Sequence, residues 1–143
     1  MKVLEHCQPQ AVDHGGAERR TPPLLTAEVD DSLAEAAGRM QWHAVGALPV
    51  YERHALVGIV TERDVTAAVA DGIDPAATPV SACMTPSPAT VRPDDDLVVA
   101  VRRMAELGVR HLPVLEEGRL VGMLSMRDLL GLGLAGTVPE KQG

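Results

Sequence analysis

Residues 21–69 and 85–133 align with each other without a gap, at an offset of 64 positions. Leu48-Pro49-Val50 returns as Leu112-Pro113-Val114, Leu56-Val57-Gly58 as Leu120-Val121-Gly122, and Arg63-Asp64 as Arg127-Asp128. Upstream, Thr26, Asp30-Asp31, Leu33, Ala36, Arg39, Met40 and Val45 match Thr90, Asp94-Asp95, Leu97, Ala100, Arg103, Met104 and Val109. Self-similarity at a fixed period means that one supersecondary assembly is built twice. A unit of about fifty residues buries too little surface to be comfortable alone. Two copies are therefore expected to pack sheet to sheet as a pseudo-twofold pair.

Each unit reads β-α-β-β-α, an α/β chain of the α+β type. A short extended segment (24–29; 89–92) leads into an Asp-rich turn whose carboxylates can cap a helix. Apolar positions then recur at helical spacing, Leu33, Ala36, Ala37, Met40 and Leu97, Ala100, Val101, Met104. Two apolar runs follow, 47–51 with 55–60 and 112–115 with 120–124, and the turns between them fall at His54 and Glu117-Gly118. A second helix is expected from Glu62 and from Met126. The expected division is a tail over 1–20, a repeat over 21–70, a linker over 71–84 carrying Gly72, Pro75 and Pro79, a repeat over 85–134 and a tail over 135–143. Both tails are polar or Gly-rich and read as loosely held.

Composition narrows the function. No stretch of the 143 residues approaches the ~18 uncharged apolar residues of a membrane helix. Phe is absent and Trp42 and Tyr51 are the only aromatics, so the rings on which single-stranded nucleic acid stacks are missing. Thirteen basic against 20 acidic side chains, a net charge of −7, oppose a phosphate-backbone footprint. Neither nucleic acid nor membrane is an expected partner. Met1-Lys2-Val3-Leu4 has no apolar run of signal-peptide length behind it, and Cys7 and Cys83 are too few for a disulfide framework, which points to free thiols in the cytoplasm. His6, Cys7 and His14 read as part of a polar tail rather than a metal site.

The paired motifs resemble a known family. Gly108-Val109-Arg110-His111-Leu112-Pro113 followed by Gly122-Met123-Leu124-Ser125-Met126-Arg127-Asp128 matches the two linked signatures of the CBS domain. The first unit carries Gly58-Ile59-Val60-Thr61-Glu62-Arg63-Asp64 but has Ala44 where the other signature begins with glycine. Over residues 21–134 the chain thus resembles a tandem CBS pair, the Bateman module. That resemblance implies a regulatory module binding an adenosine-containing ligand, AMP, ADP or ATP foremost, in clefts between the repeats, with S-adenosylmethionine or NAD as alternatives and no required cofactor.

Thr61 and Asp64, like Ser125 and Asp128, lie three residues apart at an expected helix start, on one face of its first turn. A carboxylate there can accept from both ribose hydroxyls, and a hydroxyl beside free helix-start N–H groups suits phosphate. Ordinary N-capping explains the same residues. By resemblance, basic groups just before the hydrophobic-proline pair hold phosphate. The second unit has Arg110 and His111 there, and the first has Gly46 and Ala47. Arg offers a planar fork for phosphate oxygens, and a His near neutral pH adds a donor. Residues 21–69 carry −4 and residues 85–133 only −1, which again favours a phosphorylated ligand beside Asp128. The favoured cleft is accordingly Asp128, Ser125, Arg127, Arg110 and His111, with Thr26 and Ala27 toward the purine by resemblance. The second is Asp64, Thr61 and Arg63, with Thr90 and Val91.

No nucleophile elbow, phosphate-cradling loop or metal-binding helix motif is present, so a non-enzyme is expected. Regulatory output would pass through self-association, most simply a homodimer, or through a separate protein partner. The competing reading is a constitutive homodimerisation scaffold with vestigial clefts. Trp42 reads as a packing or interface residue, and the helix faces of Met40 and Met104 as either dimer contact or core.

Overall fold

The computed structural model describes residues 2–3 and 25–130. The remainder of both expected tails, with His6, Cys7 and His14, lies outside the described residues. The chain divides into two compact units, the first spanning residues 23–88 and the second holding the described residues 2–3 and 89–130.

In the first unit β1 (Ala27–Glu28), α1 (Leu33–His43), β2 (Ala47–Glu52), β3 (Ala55–Thr61), α2 (Glu62–Ala70) and β4 (Thr85–Pro86) follow in order. They form a sheet of order β1-β2-β3-β4, in which β1 runs parallel to β2 and the other pairs are antiparallel. The second unit has α3 (Leu97–Leu107), β5 (His111–Glu116), β6 (Arg119–Ser125) and α4 (Met126–Leu130). α3, β5, β6 and the start of α4 each stand 64 residues after their counterparts. Both hairpins also share a register irregularity, after Val50 and after Val114. The opening strand of the second unit shrinks to one parallel bridge between Val91 and Val114.

The helix starts refine the expected caps. α1 begins in a capping box at Ser32, whose Oγ accepts from the Glu35 amide at 3.0 Å while Glu35 Oε1 accepts from the Ser32 amide at 2.8 Å. Asp30-Asp31 therefore do not cap it. Asp31 accepts from the Glu28 amide at 2.9 Å and from Arg39 Nη1 at 3.1 Å, because Ser32 stands one residue nearer the first turn. In the second unit the position of Ser32 is held by Asp96, which does cap, accepting from the Val98 amide at 3.0 Å. At the far ends Ala44 (φ 56°) and Gly108 (φ 70°) take the left-handed conformation. Glycine adopts it freely and a Cβ costs about 1 kcal/mol, so the departure at Ala44 leaves the backbone path unchanged at a modest penalty.

Each helix face packs on its own sheet. Leu33, Ala36 and Met40 meet Leu48, Val50 and Val60 in the first core; Leu97, Ala100, Val101 and Met104 meet Leu112, Val114 and Leu124 in the second. Met40 and Met104 are buried there and serve packing within the chain. Trp42 is 83% exposed and packs against neither core.

Residues 71–84 fold back onto the first unit. The amides of Leu33 and Ala34 donate to Thr78 O and Pro75 O at 2.9 and 3.0 Å, and fully buried Val80 enters the first core, its amide donating to Asp31 O at 2.8 Å. The second unit has a matching insertion from a different stretch of chain. Val3 is fully buried in the second core, its amide donating to Asp95 O at 3.1 Å, and Lys2 bridges Asp96 as Pro79 bridges Ser32. Asp95 and Asp96 are the repeat counterparts of Asp31 and Ser32. The pair Lys2-Val3 thus occupies in the second unit the place that Pro79-Val80 occupies in the first. For these two residues the reading of a loose tail is overturned, because Val3 supplies apolar volume that the second repeat lacks.

Gly58 marks where β4 closes on β3. A Cβ built there would lie 2.5 Å from Met84 Sδ and 2.9 Å from the Thr85 carbonyl oxygen. The sulfur can move, but the carbonyl belongs to the paired strand. Gly58→Ala is therefore expected to cost about 1–3 kcal/mol. An unchanged denaturation midpoint would show that β4 separates from β3 without penalty.

Candidate functional site

The two expected helix-start sites differ in the fold. In the first unit Thr61 caps α2 in a reciprocal box: Thr61 Oγ1 accepts from the Asp64 amide at 3.2 Å, and Asp64 Oδ2 accepts from the Thr61 amide at 2.8 Å. The capping explanation is realised here, and one oxygen of Asp64 is engaged by its own backbone. Arg63 is exposed, and Gly46 contributes its carbonyl, which accepts from the Glu62 amide at 3.0 Å.

The second unit gathers a different set. His111 opens β5 and stands directly opposite Ser125, the last residue of β6. The Arg110 carbonyl accepts from the Met126 amide at 2.8 Å, tying the start of β5 to the start of α4. Ser125 Oγ accepts from the Arg127 amide at 3.2 Å, two residues on. Asp128 follows on α4 with its Oδ2 shielded from solvent. One end of the β5–β6 ladder thus carries Arg110, His111, Ser125, Arg127 and Asp128 in neighbouring backbone positions. Ala47 opposite Thr61 is the apolar counterpart in the first unit.

Near neutrality the His111 ring is uncharged, so the donor expected of it is the N–H of a neutral imidazole. Its pKa is lowered to about 4, chiefly by burial and then by the charges of Arg127 and Arg110. Taking an imidazolium out of water beside like charges disfavours the protonated form. The neutral ring still offers one N–H donor and one acceptor.

The purine-facing candidates lie on the opening segments. Ala27 is buried and pairs with Val50, and Val91 is buried and pairs with Val114. Thr26 and Ala27 belong to the first unit and Thr90 and Val91 to the second. The residues expected for either cleft are therefore drawn from both units, and the fold gathers within one unit only the helix-start half of each set.

A pair not singled out as site residues holds these segments in place. Arg39 Nη1 donates to the Thr26 carbonyl at 2.7 Å, and Arg103 Nη1 to the Thr90 carbonyl at 2.8 Å. Arg39 also pairs with Asp31 at 3.1 Å. The signal was available: a matched arginine recurs next to the buried face of each first helix, where only a carbonyl or carboxylate partner makes a half-buried cation tolerable.

Comparison with known proteins agrees with the architecture. The CBS domain family matches at residues 19–71 and 80–134. The CBS domain-containing protein YhcV of Bacillus subtilis is 36% identical over 110 residues, covering 76% of this chain and 78% of that protein. Among solved structures, a putative signal-transduction protein with CBS domains from Burkholderia ambifaria shares 31% identity at a TM-score of 0.74, covering 84% of this chain and 89% of its own. The CBS domain protein PAE2072 from Pyrobaculum aerophilum, solved in complex with AMP, shares 26% identity at a TM-score of 0.75, with 95% and 99% covered. No helix among the described residues is long and apolar enough to cross a membrane, and they contain no metal-binding group of His, Cys, Asp and Glu.

Proposed function

This chain belongs to the CBS-domain family, with two CBS domains in tandem, and we propose that it is a regulatory module binding one adenine nucleotide per chain at the site served by Asp128. The observation that carries this reading is the asymmetry between the repeats. Arg110, His111, Ser125, Arg127 and Asp128 all stand at one end of β5–β6, with His111 opposite Ser125. The first unit offers only Gly46, Ala47 and Arg63 beside a closed capping box. Guanidiniums suit phosphate oxygens, and a carboxylate suits the ribose hydroxyls. The AMP complex of the Pyrobaculum relative supports the ligand class. The Asp64 site serves the fold, or takes a ligand of lower anionic charge such as S-adenosylmethionine. The bound state is read out through self-association or a partner protein; exposed Trp42 is a ready contact for either.

Calorimetric titration with AMP, ADP, ATP and S-adenosylmethionine, after removal of any copurified ligand, tests this. One equivalent of an adenine nucleotide per chain is expected, with thermal stabilisation that grows with ligand concentration. Absence of both heat and thermal shift with all four would favour the constitutive scaffold.

A further inference from the structure

We propose that Lys2–Val3 is a regulatory strap: its docking into the second unit and nucleotide binding beside Asp128 each favour the other. This rests on the nucleotide reading above and adds the regulation of that site. The starting point is how differently the two equivalent plugs are held. Pro79–Val80 lies between α2 and β4, and the chain on either side of it is built into the first unit. Lys2 reaches the second unit across 92 positions of sequence, its Nζ donating to Asp94 O at 3.2 Å. The Val3 amide donates to Asp95 O at 3.1 Å, and Lys2 forms an antiparallel bridge with Asp96. One buried valine and a few backbone bonds make a small cooperative element, of the kind that opens locally at less cost than a domain unfolds. Docked and released are the two states of the strap.

The core that the strap completes is the one that seats the site. Val3 belongs to the same buried cluster as Leu97, Val101, Leu124 and Leu129, with Met126 packed against it. Leu129 is the buried residue of α4 over Met126–Leu130, the span that carries Arg127 and Asp128. A helix takes its seat from its buried face. Asp95, whose carbonyl receives the Val3 amide, also accepts from the Arg92 amide through Oδ2 at 2.8 Å, and Asp96 caps α3. The strap therefore bears on the start of α3 and on the packing under α4. An empty Val3 position leaves a void into which the surrounding side chains relax only partly, and Leu129 carries that relaxation to α4. A ligand held by Arg127 and Asp128 favours the seated helix. By linkage it favours the docked strap by the same factor. The first core, which holds Val80, includes no residue of α4.

The test reads the coupling from both sides in the full chain. In amide exchange without denaturant, saturating AMP should slow the Val3 amide by about fivefold or more and the Val80 amide by less than about twofold. In calorimetric titration, at a temperature where circular dichroism shows the variants folded, Val3→Ser should weaken AMP binding by about fivefold or more. Val80→Ser removes the same groups from the other core and should stay within about twofold. The exchange measurement uses the unaltered chain and decides the matter even where Val3→Ser does not fold. AMP bound with the Val3 amide unmoved, or equal weakening by the two serine variants, would overturn the strap and leave the nucleotide site standing. No AMP binding by the unaltered protein would overturn both.

Discussion

Val3→Asp should remove amide-exchange protection from the second unit, with the largest losses in α3, β5 and β6. Val3 is fully buried among Leu97, Val101 and their neighbours, and its amide donates to Asp95 O at 3.1 Å. Burying such a side chain contributes about 1.5–3 kcal/mol. A carboxylate placed among these apolar side chains adds a desolvation cost on top. The expected loss exceeds ~3 kcal/mol, a large share of the 5–15 kcal/mol that holds a typical domain together. Val80→Asp should transfer the damage to α1, β2 and β3, since Val80 fills the equivalent place in the first core. Hydrogen exchange followed residue by residue distinguishes the two patterns. Identical losses throughout the chain in both variants would show that neither valine belongs to one unit in particular.

The second large effect concerns two aspartates that occupy equivalent positions in the sequence. Asp128→Ala should weaken adenine-nucleotide binding by a hundredfold or more, because a charged acceptor contributes about 1.5–3 kcal/mol per hydrogen bond and the ribose presents two hydroxyls. Asp64→Ala should leave the affinity within about threefold. Its cost should appear in stability instead, about 1 kcal/mol, through loss of the box in which Asp64 Oδ2 accepts from the Thr61 amide at 2.8 Å. Asp128→Asn, which conserves volume and removes charge, separates a ligand role from a packing role. Equal loss of binding from Asp64→Ala and Asp128→Ala would mean that the two sites work as one. The reverse order would place the nucleotide at Asp64.

The order of the elements was legible because the alignment at offset 64 preserves helical spacing in one stretch and apolar runs in the next. α1 and α3, β2 and β5, and β3 and β6 all stand at that offset. Three other features were not legible, for distinct reasons. Val3 and Val80 lie outside the ungapped alignment and are separated by a different interval. Their equivalence is visible only through their partners, Asp31 for Val80 and Asp95 for Val3, which are repeat counterparts. The cap of α1 went to Ser32 instead of the aspartates beside it, because capping depends on one residue's distance from the first turn and not on local acidity. The charge of His111 depends on burial and on Arg127, sixteen positions away in sequence and close in the fold. Residue type alone suggests an ordinary imidazole. The difference between the two repeats at Arg110-His111 and Gly46-Ala47 was plain in the residues, whereas the closed box at Thr61–Asp64 needed coordinates.

The placement of Val3 also governs the order in which this chain can mature. Lys2 reaches the Asp94 carbonyl across a separation of 92 residues, among the longest-range contacts in the second unit. At about 5–20 residues per second of synthesis, roughly ten seconds pass between the appearance of Val3 and that of its socket. Val80, by contrast, emerges when the first sheet that receives it is largely made. The earlier half of the chain can thus close while still growing, whereas Val3 has no socket until the later half has been made. High contact order of this kind slows folding, and here the delay falls on the repeat that carries the arginines and His111.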